Sequence, residues 1–98
     1  MEINKAQNGS RLEVALTGRL DTTTAPQLEA MLKESLEGIT ELVLNFASLD
    51  YISSAGLRVL LASQKTMNKQ GSMLICNVND EIKEVFEITG FSDILTIA

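Results

Sequence analysis

Asp50-Tyr51-Ile52-Ser53-Ser54-Ala55-Gly56-Leu57-Arg58-Val59-Leu60-Leu61 is a stretch in which a connection turns into a helix, and its flanks decide the fold. From Ala55 to about Lys69, the residues Leu57, Leu60, Leu61, Gln64 and Met67 recur at helical spacing, and Gly71 supplies a C-terminal stop. On the N-terminal side, Leu42-Val43-Leu44 is a continuous apolar run of strand length. It reads as a central strand covered on both faces, with Asn45 to Ile52 as the connection leading out of it. On the C-terminal side, Met73-Leu74-Ile75-Cys76 reads as a second buried strand. Strand, helix and strand in that order imply a right-handed crossover between parallel strands.

Further out, Arg11 to Thr17 alternates with period two and puts Leu12, Val14 and Leu16 on one face of a half-buried strand. A shorter strand around Ile3 precedes it, and Asn8-Gly9 is a favoured hairpin turn because both residues tolerate positive φ. Thr24 followed by Gln27 fits a capping box, Pro26 suits a first turn, and Leu28, Met31, Leu32, Ser35 and Leu36 follow helical spacing up to Gly38. Asn79 or Asp80 can cap a third helix carrying Ile82, Val85 and Phe86, ended by Gly90, and Ile94 to Ile97 reads as a last short strand. The expected fold is therefore α/β, a single domain over residues 1–98. Its mixed sheet has an N-terminal antiparallel hairpin and β-α-β crossovers, with helices packed on it. Asp21, Asn45 and Ser54 then fall at or just after the carboxyl ends of strands, where such sheets gather functional groups.

Composition narrows the chemistry. A chain of 98 residues that is 45% apolar, with one Pro and 6 Gly, belongs with ordered globular domains. A formal charge of −5 disfavours nucleic acid or an anionic membrane as direct partner, since both reward clustered cations. The apolar stretches are too short for a membrane-inserting helix, and the N-terminus lacks the basic-then-apolar pattern of a signal peptide. With one Cys there is no internal disulfide, and Cys76 is expected as a buried free thiol in a reducing cytoplasm. The absence of His removes Ser-His-Asp and Cys-His nucleophile activation and the usual zinc sites. No phosphate-binding glycine loop or cluster of metal ligands is evident, so neither a cofactor nor an enzyme activity is expected.

Ser53 and Ser54 stand at a helix start, so the plain reading is that one of them caps the helix by accepting a backbone N–H. The same position favours a phosphate, because free amides and the helix dipole attract negative charge. Gly56 in the first turn costs the helix about 1 kcal/mol relative to Ala, which calls for a close approach by another backbone, from this fold or from a partner. Arg58, four residues after Ser54, is an ordinary surface cation that also comes within reach of a phosphate or a partner's acid.

The run from Asp50 to Leu61 resembles the signature of the STAS domain family, in particular the bacterial anti-sigma factor antagonists. Gly18-Arg19-Leu20-Asp21, Leu42-Val43-Leu44-Asn45 and Val85-Phe86-Glu87-Ile88-Thr89-Gly90-Phe91 resemble it in order and at suitable spacings. The resemblance implies a binding module whose unmodified form docks on an anti-sigma factor that is also a serine kinase, thereby freeing the sigma factor. It implies that Ser54 is the phosphorylated residue, with Ser53 second, and that a metal-dependent phosphatase reverses the modification. Where the family commonly has Asp before the acceptor, this chain has Ser53. The docking surface implied is built from Asp21, Thr22, Thr23, Asn45, Ser53, Ser54, Gly56, Leu57 and Arg58. Phosphorylation adds about −1.5 to −2 charges to that surface, which disfavours a desolvated contact. A monomer in the cytoplasm is expected. The alternative is a separate STAS subunit of a membrane transport complex, gripping its ATPase without phosphorylation. An enzyme using Ser54 with Lys65 or Lys69 is disfavoured, since helical rise puts either lysine about 16 Å or more away.

Overall fold

A computed structural model describes all 98 residues, Met1–Ala98. Strands β1 (Glu2–Asn8) and β2 (Arg11–Leu20) form an antiparallel hairpin in which Asn8 faces Arg11. The two linking residues are thus Gly9 and Ser10, one position later than Asn8-Gly9. Gly9 alone has positive φ, 64°, the pattern of a type II′ turn. Helix α1 (Ala25–Ser35) leads to β3 (Glu41–Ile52), α2 (Ser54–Gln70) to β4 (Ser72–Cys76), and α3 (Asp80–Thr89) follows. The sheet order is β1-β2-β3-β4, with β2, β3 and β4 mutually parallel. This is the mixed α/β sheet read from the sequence.

Four expectations are corrected. Asn45 to Ile52 is the last two thirds of β3 and not a connection. It escapes a period-two reading because β3 carries an extra residue twice, once where Leu16 faces Phe46 and Ala47, and again where Asp50 falls between Leu49 and Tyr51. The buried residues Phe46, Leu49 and Ile52 are consequently three apart. The last strand is absent: Gly90 turns with φ 80° into a 3-10 turn over Phe91–Asp93, leaving only an isolated bridge between Ile97 and Ile75. Finally, the sheet is covered on one face. Leu42 and Leu44 join Leu12, Val14, Met73 and Ile75 in the apolar cluster to which all three helices contribute. Val43 is buried but outside it, on the opposite face between Glu13 and Leu74. Cys76, on that open face too, is half-buried instead of fully buried.

Local chemistry explains the element ends. The Asn79 side chain accepts the Ile82 N–H at 2.8 Å, capping α3. Gln70 donates to the carbonyls of Leu36 and Ile39 at 2.7 and 2.6 Å, tying the end of α2 to the segment that follows α1. Gly71 is required by contact: a Cβ there would meet the Thr40 carbonyl oxygen at 1.8 Å. No helix is long and apolar enough to cross a membrane.

Candidate functional site

The carboxyl ends of β2 and β3 meet where Leu20 pairs with Ile52, and the Ser53 N–H donates to the Leu20 carbonyl at 2.9 Å. That bond fixes the start of α2 against the loop that leaves β2. Asp21 organises the loop: its Oδ1 accepts the amides of Thr23 and Thr24 at 3.0 and 3.1 Å, and its Oδ2 lies 3.8 Å from the Arg19 guanidinium. The Thr24 amide above all holds the Asp21 carboxyl below the usual carboxylate range. Partial burial opposes this, while the Thr23 amide, the Thr24 hydroxyl and Arg19 reinforce it. The Thr24 hydroxyl donates back to the Arg19 carbonyl at 2.7 Å and accepts the Asp21 N–H at 2.9 Å. Occupied in this way, it makes no cap bond to α1, so the expected capping box with Gln27 does not form.

At the start of α2, Ser53 takes the extended cap conformation, and its carbonyl accepts the Leu57 N–H at 3.0 Å. Its hydroxyl, however, caps nothing. It is buried and unpartnered, a situation that costs about 1–3 kcal/mol. Ser54, the first helical residue, is exposed instead. The two serines thus differ in access. No acidic side chain occupies this first turn, so nothing there competes with an anion for the positive end of the helix. Arg58 is exposed one turn further on.

The remaining expected residues divide. Thr22 and Arg58 face a shared cleft of about 180 Å³ between the β2–α1 loop and α2, with Pro26, Glu29 and Ala55 among its walls. Thr23 is exposed on the same loop. Gly56 is buried, and its lack of a side chain is explained internally: a Cβ would lie 2.7 Å from Leu20 Cγ and 2.8 Å from Ile52 Cγ1. Leu57 is a core residue, 7% exposed. Neither offers surface to a partner in this conformation. Asn45 is not beside Ser54. It sits mid-strand, seven residues before Ile52, about 20 Å away at the usual strand rise, accepting from Asn77 Nδ2 at 3.1 Å and from the Ala47 amide at 2.9 Å. Lys65 and Lys69 are strung along the same unbroken helix as Ser54, away from its hydroxyl.

Two residues at this end of the sheet escape a reading by pattern. Arg19 and Tyr51 are neighbours across β2 and β3, and the guanidinium carbon stands 4.2 Å from the ring centroid. The extra residue at Asp50 is what turns Tyr51 outward, and nothing in the local composition announces it.

The STAS domain family model matches residues 2–98. The chain belongs to the STAS domain family. Over its whole length it is 38% identical to BtrV of Bordetella bronchiseptica, named an anti-sigma factor antagonist, covering 86% of that protein. It is 33% identical over 87 residues to an anti-sigma-B factor antagonist of Staphylococcus aureus, which is 87% of this chain and 81% of that one. Among solved structures, the STAS fold described above is similar to that of SpoIIAA, an anti-sigma factor antagonist. The TM-score is 0.79 for the unphosphorylated form and 0.78 for the phosphorylated form of the Bacillus protein, at 18% and 19% identity. Each match covers 99% of this chain, and 87% and 91% of the respective SpoIIAA chains.

Proposed function

We propose that this STAS protein is an anti-sigma factor antagonist acting in the cytoplasm as a binding module without catalytic activity, switched off by phosphorylation at Ser54. The observation that carries the choice of residue is the contrast in access: Ser54 is exposed as the first residue of α2, whereas the Ser53 hydroxyl is buried. The partner is an anti-sigma factor that is also a serine kinase and brings the ATP. In the transfer, Ser54 Oγ forms a bond to the γ-phosphorus, the bond to the bridging oxygen breaks, ADP leaves, and a base on the kinase takes the hydroxyl proton. A metal-dependent phosphatase hydrolyses the ester to restore the binding form.

The docking surface is the loop Asp21 to Thr23 together with Ser54 and Arg58. Unmodified, it presents small hydroxyls on an organised turn, flanked by the charges of Asp21 and Arg58, which a partner can pair. A phosphate adds about −1.5 to −2 charges there, and in a closed contact an uncompensated charge is expensive. The relatives at over 30% identity carry antagonist names, which favours this reading over a transport subunit.

The test is titration of the purified chain with its cognate anti-sigma factor, with and without ATP, read by mass spectrometry and calorimetry. Ser54→Ala should hold the partner in the presence of ATP. Ser54→Asp should bind at least about tenfold more weakly, a loss of about 1.4 kcal/mol. If kinase and ATP leave the mass unchanged, or modify only Ser53, the assignment of Ser54 is overturned.

A further inference from the structure

Strand alternation makes a simple demand on the end of β3. Leu49 is buried, so a regular strand would bury Tyr51 two residues on and expose Ile52. The reverse is found: Ile52 is 4% exposed and Tyr51 41%. The cause is the register. Gly18 pairs with Leu49 and Arg19 with Tyr51, so Asp50 is an extra residue on β3. The partner strand yields at the same place, where Gly18 has φ 105°, a value that L side chains rarely adopt. A bulge of this kind is a device for re-aiming a side chain. Here it takes the chain's single tyrosine out of the core and sets it beside a cation.

That cation is held from two directions. The ring lies under the Arg19 guanidinium at 4.2 Å, and the Asp21 carboxylate approaches its Nε at 3.8 Å. Arg19 is nonetheless 61% exposed, so the outer edge of its fork remains open to an incoming acceptor. The pair is continuous with the docking surface. Asp21 belongs to both, and Tyr51 is three residues before Ser54, within about 11 Å at full extension. Tyrosine and arginine are, with tryptophan, enriched among the residues that anchor protein contacts, the aromatic ring offering large area at small entropic cost.

We propose that the Arg19–Tyr51 stack is a second anchor of the partner-docking surface, and that it receives a carboxylate from an acidic segment of the partner. The proposal rests on the reading of the chain as an antagonist of an anti-sigma factor. The ring and Asp21 hold the guanidinium in place before the partner arrives, so little freedom is lost on contact. Charge decides the chemistry of the occupant: a guanidinium has only donors and pairs best with a planar acid. The ring contributes its face and needs no hydroxyl for this.

The experiment titrates the full chain with the anti-sigma factor kinase by calorimetry, without ATP. The wild-type arm comes first, since failure of the wild type to bind would remove the antagonist reading itself. Given binding, Arg19→Glu and Tyr51→Ala should each weaken it tenfold or more, and Arg19→Lys should weaken it by less. Tyr51→Phe, which keeps the ring, should stay within twofold of wild type. The salt dependence of binding should be shallower for Arg19→Gln than for wild type. Both residues are exposed, and far-UV circular dichroism checks that each variant is folded. Binding of folded Arg19→Glu and Tyr51→Ala within twofold of wild type overturns the anchor while leaving the antagonist reading intact. Equal losses in Tyr51→Phe and Tyr51→Ala also overturn it, because they would assign the effect to the hydroxyl and not to the stack.

Discussion

Asp21 shows how one residue serves both fold and site. Its lowered pKa, caused chiefly by the Thr24 amide, links the turn to pH. A group whose folded pKa lies below its unfolded value, here near 3.8, binds fewer protons when folded, so its contribution is complete above the unfolded value. It fades as pH falls through the folded one. Thermal melts should show wild type more stable than Asp21→Ala near neutrality, with the gap narrowing below about pH 4; a gap constant to pH 2 would contradict this. Asp21 was legible in the sequence as a strand-end acid, and Ser54 as a helix-start hydroxyl. The roles of Gly56 and Thr24 were not. Gly56 answers to Leu20, distant in sequence, as well as to the nearby Ile52, and the Thr24 hydroxyl turns back to Arg19 when the local pattern favours a cap. The first choice is made partly by a tertiary neighbour and the second by the path of the loop, and spacing encodes neither.

At the scale of elements, the helices were readable because their apolar residues keep one period from end to end. β3 was readable only for as long as it kept its own. Leu42 to Leu44 announced a strand, whereas the two extra residues after Asn45 broke the alternation and made a continuous 12-residue strand look like a connection. The same irregularity hid Tyr51. Element packing also explains Gly71, whose position suggested only a helix stop. Its φ of 171° is outside the left-handed region that favours glycine, and the constraint the contact shows is one of space. Gly71→Ala drives a methyl into the Thr40 carbonyl and must push β4 away from the segment entering β3. The expected loss is at least the 1–3 kcal/mol typical of overpacking, measured by urea unfolding. Stability equal to wild type would mean that the two segments separate freely. Gly56→Ala is subtler, since alanine gains about 1 kcal/mol of helix propensity while its methyl meets two buried side chains. Overpacking of similar or larger size should leave the variant less stable in the same assay, and a rise in melting temperature would show that Leu20 and Ile52 yield easily.

For the molecule as a whole, a sheet with helices on one face has two consequences: an open face, and edges that need protection. Edge strands invite pairing with other chains unless they are blunted. On the β1 side, the outermost strand carries Lys5 at its middle and is almost entirely exposed, so charge and solvation guard it. On the β4 side, the guard is the chain beyond α3. The Ile75 N–H donates to the Thr96 carbonyl and the Ala98 N–H to the Ile75 carbonyl, each at 2.9 Å, while Leu95, 6% exposed, is inserted into the core. The sequence suggested a fifth strand here, where Ile94, Thr96 and Ile97 are β-branched. The Ile94 and Leu95 amides instead turn back to the Phe91 carbonyl at 3.0 and 2.8 Å, so one bridge and one inserted leucine take the place of a ladder. Deleting residues 94–98 should therefore do two separable things. Loss of the Leu95 side chain should cost about 1.5–3 kcal/mol, seen as a lower urea midpoint. Loss of the two backbone bonds should bare the β4 edge, seen as association that grows with protein concentration in sedimentation or light scattering. Leu95→Ala in the full chain separates the effects: it should reproduce most of the loss in stability and none of the association. Association of Leu95→Ala at the same concentrations would instead trace it to exposed core, leaving the edge adequately guarded without its bridge.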